Sequence, residues 1–524
     1  MADISERARK TTLDKDLDKL VRIEEATSFL ARGLVAPGLA LFFMAFVAVA
    51  VAIFSAGDPG AIAIVAAAAI GAYMALNIGA NDVANNVAPA VGSRALTMGG
   101  ALVLAAIFET SGALIAGGDV VQTISKGIID RQAVGEPAIF IGAMTAALLA
   151  SAVWINLATA IGAPVSTTHS VVGGVMGAGI AAAGLWSVDW GVMAGIAASW
   201  VISPVMGGVI AAGFLAFIKS RIIYQDEKIA AARRWVPILI AIMAGSFASY
   251  LATKGLSKII HLSGGGIAII GLGTFLVAWG AAQVFVNRQS EGMENRNQSL
   301  RKLFNLPLVI SAALLSFAHG ANDVANAVGP LAAIVQTAGR NGVVAAVHIP
   351  FWVMLIGAFG ISLGLLLYGP KLVRMVGEQI TKLNPMRAFC VALSAALTVI
   401  IASWFGLPVS STHIAVGAVF GVGFFREWYT ANSPRRRAYL DRKVNRLRAE
   451  RAANRIAGET SDTEAFNEDE DETAGEPVIS REEVTRRKLV RRAHFSTIVA
   501  AWLVTVPATA AIAGGFFLLL QQLR

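Results

Sequence analysis

The sequence predicts an all-α polytopic membrane protein of about 12–13 transmembrane segments arranged as an inverted repeat. Three observations support this class. The 524-residue chain is 56% hydrophobic and only 15% charged, whereas soluble domains carry roughly 25% charged residues. Several windows of about 18 residues or more are nearly free of charge, which is long enough for a helix to cross a bilayer. Two motifs recur in the same order in the two halves.

The apolar windows define the predicted spans. They cover residues 34–55, 61–80, 98–118, 138–160, 189–218, 235–253, 264–286, 303–321, 342–369, 386–404 and 495–521. Two further apolar stretches, 162–183 and 406–425, are rich in Gly, Pro, Ser and Thr. These two stretches are consistent with full crossings, broken helices or re-entrant hairpins. The charged residues 1–33 are followed by no clear cleavage site, so we expect no cleavable signal peptide.

Internal repetition indicates a duplication. GANDVANNVAPAVG at residues 79–92 returns as GANDVANAVGPLAA at residues 320–333. GAPVSTTHSVVGGVMGAG at residues 162–179 returns as GLPVSSTHIAVGAVFGVG at residues 406–423. A weaker pair, WVISP at 200–204 and WLVTVP at 502–507, locates a polar insert in the second half only. Duplicated motifs in one order are typical of secondary transporters.

Basic residues predict the topology. Lys and Arg concentrate in residues 1–33, 219–234 and 287–302 and in the insert, and such segments favour the cytoplasmic side. All four segments fall on that side only if each Ser/Thr-rich stretch adds one net crossing, which gives about thirteen crossings and an external C-terminus. The two GANDVAN spans then run in opposite directions. This orientation is an inverted repeat.

The predicted organisation follows from these boundaries. It comprises a charged cytoplasmic tail (1–33), an additional N-terminal transmembrane helix (34–55), a first repeat (61–218), a basic linker with connecting spans (219–302), the main part of a second repeat (303–425), a charged cytoplasmic insert (426–494) and the last span of the second repeat (495–524). The acidic part of the insert, 458–477, is poor in apolar residues and is expected to be disordered. A solvated loop and a regulatory or partner-binding segment are both consistent with the insert.

The GANDVAN motif predicts a cation site. The recurring polar residues are Asn81, Asp82 and Asn85 in the first copy and Asn322, Asp323 and Asn326 in the second. Asn86 does not recur, because Ala327 takes its place. Carboxylate and amide oxygens are hard ligands that suit sodium or a similar cation at Asp82 and Asp323. The flanking glycines and prolines are places where each helix can be interrupted, and the competing interpretation is interhelical hydrogen bonding.

The PVS[ST]TH motif predicts an anion site. Its hydroxyls are those of Ser166, Thr167 and Thr168 and of Ser410, Ser411 and Thr412. Pro164 and Pro408 suit the first turn of a helix, where free N–H groups and the positive end of the dipole favour an anion. The alternative is that these residues are ordinary N-caps.

Single ionisable residues are harder to interpret. Glu109 is an intramembrane carboxylate without an acidic counterpart near Ile349, and it is a candidate for coupling-ion binding or a buried pair. His169 and His413 follow the Ser/Thr motifs and are expected to be structural donors. His319 has Ile78 as its counterpart and so belongs to no symmetric device. Arg94 and Arg340 are expected to lie near the membrane surface and to anchor the protein there.

Cation ligands and anion-binding helix ends, each in duplicate, together predict co-transport of an anion with a cation. The net charge of +9 is attributed to cytoplasmic loops near anionic lipid, and no nucleic acid is expected as a partner. The expected partners are the anion, its coupling cation and the lipid bilayer. The sequence leaves open whether the chain forms a homo-oligomer.

The four motif copies resemble the signatures of the inorganic phosphate transporter (PiT) family, from about residue 60 to the C-terminus. The resemblance implies a symporter of inorganic phosphate in the bacterial inner membrane, driven by sodium or protons. It also implies phosphate at the Ser/Thr-rich helix ends and sodium at the GANDVAN motifs, with no other cofactor. The additional N-terminal span and the late insert depart from the family's usual pattern.

Several rival functions remain at this point. Within the same fold, a proton-coupled carrier of metal–phosphate or of sulfate has the same signatures. An intramembrane hydrolase is disfavoured because every candidate nucleophile is duplicated and nothing fixes a base beside a serine. We therefore expect no enzymatic activity. An anion channel is a third alternative, which flux independent of protons and of sodium would support.

Overall fold

The computed structural model describes residues 34–58, 60–161, 165–256, 260–338, 349–379, 384–439, 441–442, 445 and 492–522. Its helices are α1 (Leu34–Phe54), α2 (Ala61–Asn81), α3 (Ala84–Gly92), α4 (Met98–Ala116), α5 (Gly118–Gln122), α6 (Arg131–Val134), α7 (Pro137–Ile161), α8 (Thr167–Ala183), α9 (Trp190–Ile218), α10 (Lys228–Lys254), α11 (Gly264–Gln289), α12 (Asn297–Leu303), α13 (Asn305–Ala338), α14 (Phe351–Gln379), α15 (Pro385–Trp404), α16 (Ser411–Asn432) and α17 (Arg492–Gln522). Within the described residues, the sole β element is an isolated bridge between Ile129 and Val188.

The predicted all-α polytopic membrane class is confirmed. Eleven described helices are long and apolar enough to cross a membrane, and the chain is therefore an integral, multi-pass membrane protein. The two Ser/Thr-rich stretches are not among the eleven. They form α8 and most of α16, which are helices that begin inside the protein at buried Ser/Thr residues.

Each Ser/Thr-rich helix is the second arm of a helical hairpin. The first hairpin consists of α7 and α8, and its open end lies beside the start of α9. There Asp189, just before α9, donates its N–H to the carbonyl of Ile128, in the segment that precedes α7, at 3.0 Å. In the second hairpin, α15 and α16, the open end lies at the other end of α9, where the Lys219 ammonium sits 4.7 Å from the Tyr429 ring centroid. The two hairpins therefore open toward opposite ends of α9.

Helices from the two halves pack reciprocally. Helix α2 packs on α14 as α13 packs on α4, and α8 packs on α17 as α16 packs on α9. Glycines permit this close approach: a Cβ at Gly79 would overlap the Ile361 carbonyl, and a Cβ at Gly320 would overlap the Glu109 carbonyl. Because the two glycines hold the same place in the two motifs, this backbone packing is duplicated along with the sequence.

The two GANDVAN copies differ in their backbone. The first copy is interrupted between α2 and α3, where Asn85 and Asn86 donate their N–H groups to carbonyls only three residues earlier. The second copy lies within the uninterrupted helix α13, which includes Pro330. The predicted interruption is thus present in one copy and wrong for the other.

Other predicted boundaries shift or fall outside the described residues. Helix α16 continues to Asn432 and so includes the first residues of the predicted insert, 426–432. Residues 1–33, the acidic segment 458–477 and Arg340 lie outside the described residues. Arg94 is exposed just after α3, and its role as a membrane anchor stays a prediction.

Candidate functional site

The tips of the two hairpins meet at the GANDVAN motifs. The Ser166 hydroxyl caps α8 by accepting the His169 N–H at 3.2 Å, and the Ser410 hydroxyl caps α16 by accepting the His413 N–H at 3.3 Å. These two serines therefore behave as N-caps, which was the alternative interpretation of the motif. The Thr168 hydroxyl bridges the hairpins by donating to the Val409 carbonyl at 3.0 Å.

The Asp82 carboxylate receives a hydroxyl from each hairpin. Thr167 of the first hairpin donates to Oδ2 at 2.6 Å, and Thr412 of the second donates to Oδ1 at 3.2 Å. The Asn85 amide donates to the Thr412 hydroxyl at 3.0 Å. Asp82 is thus the group at which the first motif and both hairpin tips converge.

The Asp323 carboxylate has a different set of partners. The Ser411 hydroxyl donates to its Oδ2 at 3.2 Å, and Nε2 of His319 lies 2.7 Å from the same oxygen. The Asn326 amide donates to the hydroxyls of Thr168 at 3.1 Å and Thr167 at 3.4 Å. The structure therefore brings both motif copies and both hydroxyl sets into one cluster.

The two asparagines at the first motif position have separate surroundings. Asn322 holds the tip of the second hairpin, because its Oδ1 accepts the Val409 N–H at 3.2 Å and its amide donates to the Leu407 carbonyl at 3.1 Å. Asn81 is half-buried at the end of α2. Asn322 is consequently a positioning residue for the hairpin tip.

Glu109 joins the cluster through residues that do not recur. Its Oε1 accepts the Asn86 amide at 2.8 Å, and its Oε2 lies 2.8 Å from Nδ1 of His319. The packing places Ile361, and not Ile349, at the corresponding point of the second half, so the sequence register was wrong there. The conclusion that Glu109 has no acidic counterpart is unchanged.

His319 and Asn86 are the site residues that sequence reasoning missed. Both were set aside because they do not recur, yet His319 links Glu109 to Asp323 and Asn86 holds Glu109. A signal was available, since His319 lies one helical turn before Asp323 on the same face.

A pair of histidines lies in the first turns of the two hairpin helices, α8 and α16. The rings of His169 and His413 are 4.6 Å apart, and His169 makes an edge contact with Trp200 at 3.8 Å. The Trp200 indole donates to the Pro408 carbonyl at 3.0 Å. These are ring contacts, so the role of the two histidines as structural donors stays a prediction.

The cluster has the chemistry of a cation site. One ligand atom from each of Asp82, His319 and Asp323 lies within 4.8 Å of the others, and all three residues are buried. Within the described residues, the buried oxygens Oδ1 of Asp323 and Oδ1 of Asn326 accept no hydrogen bond. Three buried carboxylates beside one imidazole form a negative environment, which a bound cation would stabilise.

Comparisons with known proteins agree with these features. The model of the "Phosphate transporter family" matches residues 78–513. A Helicobacter pylori protein named "Putative phosphate permease" is 44% identical over 532 residues, covering 96% of this chain and 98% of that protein. A Pyrococcus abyssi protein of the same name is 38% identical over 360 residues, covering 68% of this chain and 87% of that protein. A solved structure described as "The sodium-dependent phosphate transporter" aligns with a TM-score of 0.74 and 32% identity, over 88% of this chain and 100% of that one.

Proposed function

The chain belongs to the phosphate transporter family, and we propose that it carries inorganic phosphate across the membrane as a symporter driven by sodium. The observation that carries the proposal is the convergence of both hairpin tips on Asp82. The structural relative described as sodium-dependent supports sodium as the coupling ion. We place the protein in the bacterial inner membrane, with its repeats inverted as the opposite openings of the two hairpins suggest.

The proposed phosphate site lies between the N-terminal ends of α8 and α16. The hydroxyls of Thr167, Thr168, Ser411 and Thr412 and the first N–H groups of both helices are its donors. A tetrahedral oxyanion accepts donors from several directions, and two facing helix ends supply them. Ser166 and Ser410 act through the helices that they cap.

The coupling between cation and phosphate is proposed to arise because the same hydroxyls can donate either to the carboxylates or to phosphate. Thr167 and Thr412 donate to Asp82, and Ser411 donates to Asp323. A cation bound between the carboxylates would balance their negative charge, and the hydroxyls could then donate to phosphate oxygens instead. Phosphate bound nearby would in turn strengthen cation binding, because coupling between two ligands is reciprocal.

Glu109 and His319 are proposed to set the charge of this cluster. Glu109 and His319 reach the hydroxyl donors only through Asp323, so they act on the cation and not on phosphate directly. An imidazole between two carboxylates is also a proton-exchanging group. This observation makes the proton the second candidate for the coupling ion.

Phosphate uptake into proteoliposomes with imposed gradients tests the proposal. We expect an inward sodium gradient to drive accumulation of phosphate, and sulfate in excess to leave uptake nearly unchanged. Accumulation driven by a proton gradient alone would replace sodium by protons, and uptake that needs no gradient would point to a channel. Full uptake by the double variant Asp82→Ala, Asp323→Ala would rule out the proposed coupling site.

A further inference from the structure

One face of α2 carries a polar stripe that the proposed site does not use in full. Tyr73, Asn77 and Asn81 follow one another at intervals of four residues on α2 and so share a face, and Asn85 follows at the same interval in α3, just beyond the helix interruption. All four are half-buried, whereas Met74 and Ile78 beside them are completely buried. The stripe ends at the site, because Asn85 donates to Thr412, the hydroxyl that contacts Asp82.

A residue of the neighbouring helix extends the stripe. The Asn156 side chain on α7 is exposed, and its amide donates to Oδ1 of Asn77 at 3.2 Å. Asn77 in turn donates to the Tyr73 carbonyl at 2.9 Å. Amide side chains on a membrane-spanning helix are costly against lipid and almost always face the bundle interior or a water-filled cavity. Because Asn156 is exposed, contact with water would satisfy the rest of its amide, whereas contact with lipid would not.

The second half has no such stripe. The residues in the places of Tyr73 and Asn77 are Leu314 and Ala318, and Ile400 takes the place of Asn156. All three are buried. The polar stripe is therefore not a by-product of the duplicated motif, since it continues beyond the motif in one copy only.

We propose that Tyr73, Asn77 and Asn156 line a water-filled passage that leads to the Asp82–Thr412 end of the site. This inference rests on the proposed function, because the passage would admit hydrated phosphate and its cation. Side-chain amides both donate and accept hydrogen bonds, so they can stand in for hydration water around an anion or a cation. The passage explains why polar residues extend along α2 beyond the residues that touch Asp82.

Cysteine labelling tests the passage without any transport measurement. Cys390 is the chain's one cysteine and is buried, so new cysteines can be introduced against a silent background. The test pair is Asn156→Cys and its neighbour Leu157→Cys, whose native side chain is 52% exposed but apolar. Both are labelled in lipid nanodiscs with MTSES, a charged thiol reagent that requires water and a thiolate.

We expect Asn156→Cys to react at least about tenfold faster than Leu157→Cys, because only a thiol in contact with water ionises and meets the reagent. A second pair, Asn77→Cys and the buried Ala318→Cys, should show the same order. Equal rates within either pair would mean that the stripe faces lipid or protein, and would overturn the proposal.

The passage and the proposed function fail in different ways. Labelling without any phosphate uptake would leave the passage and remove the proposed function. Normal phosphate uptake together with an Asn156→Cys that does not react with MTSES would keep the proposed function and overturn the passage. Where both labelling and uptake occur, phosphate with sodium should slow labelling of Asn77→Cys, and unchanged labelling would show that the passage does not lead to the site.

Discussion

The two GANDVAN copies share a sequence but differ in their surroundings. In the first copy the helix is interrupted next to Asp82, and this carboxylate is held by hydroxyls from both hairpin tips. In the second copy the helix is continuous, and Asp323 is joined to His319 and through it to Glu109. One carboxylate thus faces exchangeable neutral donors, while the other is fixed in a chain of ionisable groups.

This difference indicates a division of labour within the duplicated site. Hydroxyl donors rotate and can change acceptors at low cost, which suits the end of the site that is proposed to bind phosphate. A buried carboxylate–imidazole–carboxylate chain is costly to disrupt, which suits a group that sets the charge of the cation site. The two motif copies supply the ligands twice, and Asn86, Glu109 and His319, which have no counterparts in the other half, make the two ends unequal.

The largest expected effect is at Asp82, whose charge has no cationic side chain in contact within the described residues. Asp82→Asn keeps the size and one acceptor oxygen but removes the charge that a cation would need. Loss of two charge-assisted contacts to the cation, at about 1.5 kcal/mol each, corresponds to roughly 100-fold slower sodium-driven uptake at low sodium. The measurement is the initial rate of phosphate uptake in proteoliposomes.

Asp323→Asn is the matched variant in the second copy. His319 already offsets part of the Asp323 charge, so we expect a loss of only about tenfold. Equal losses in the two variants would contradict the division of labour and restore a symmetric site.

The next effect concerns His319. His319→Ile gives the second copy the residue of the first and leaves Glu109 and Asp323 without the imidazole between them. Breaking a buried pair of this kind should cost about 3 kcal/mol of stability. Thermal unfolding in detergent, followed by tryptophan fluorescence, measures this loss as a lower Tm.

Combining Glu109→Gln with His319→Ile in a double-mutant cycle measures the interaction between the two side chains. In a His319→Ile background, Glu109→Gln removes one uncompensated charge and should recover part of the lost Tm. Additive losses from the two substitutions would show that the two side chains do not interact.

Sequence reasoning recovered what is duplicated and missed what is not. Composition and apolar windows predicted the helical class, and the motifs predicted the duplication and the residues that converge at Asp82 and Asp323, because recurrence separates a site from chance. The same criterion dismissed His319 and Asn86. The register of Glu109 failed as well, since loop lengths differ between the halves and only packing shows that Ile361 holds the corresponding place. The flanking glycine and proline recur in both copies, so they could not show that only the first copy is interrupted.

A smaller effect tests whether the packing is as symmetric as the motifs. Gly79→Ala and Gly320→Ala each place a methyl group against a carbonyl of the facing helix, which is backbone and cannot move aside freely. Each should cost about 2 kcal/mol, the usual penalty of overpacking. Gly280→Ala is the control, since its Cβ meets open space. A Tm loss at only one of the two motif glycines would show that the packing, like the chemistry, has diverged.

The smallest expected effect separates capping from direct phosphate contact. Ser166→Ala and Ser410→Ala each remove an N-cap from the hairpin helix that follows, which costs about 1 kcal/mol and weakens apparent phosphate affinity about fivefold. Ser→Thr at either position keeps the hydroxyl acceptor and should retain near-normal affinity. The apparent KM for phosphate decides the matter. A loss of 100-fold or more in both Ala variants would mean that these hydroxyls bind phosphate themselves, because a cap alone cannot account for more than about 2 kcal/mol.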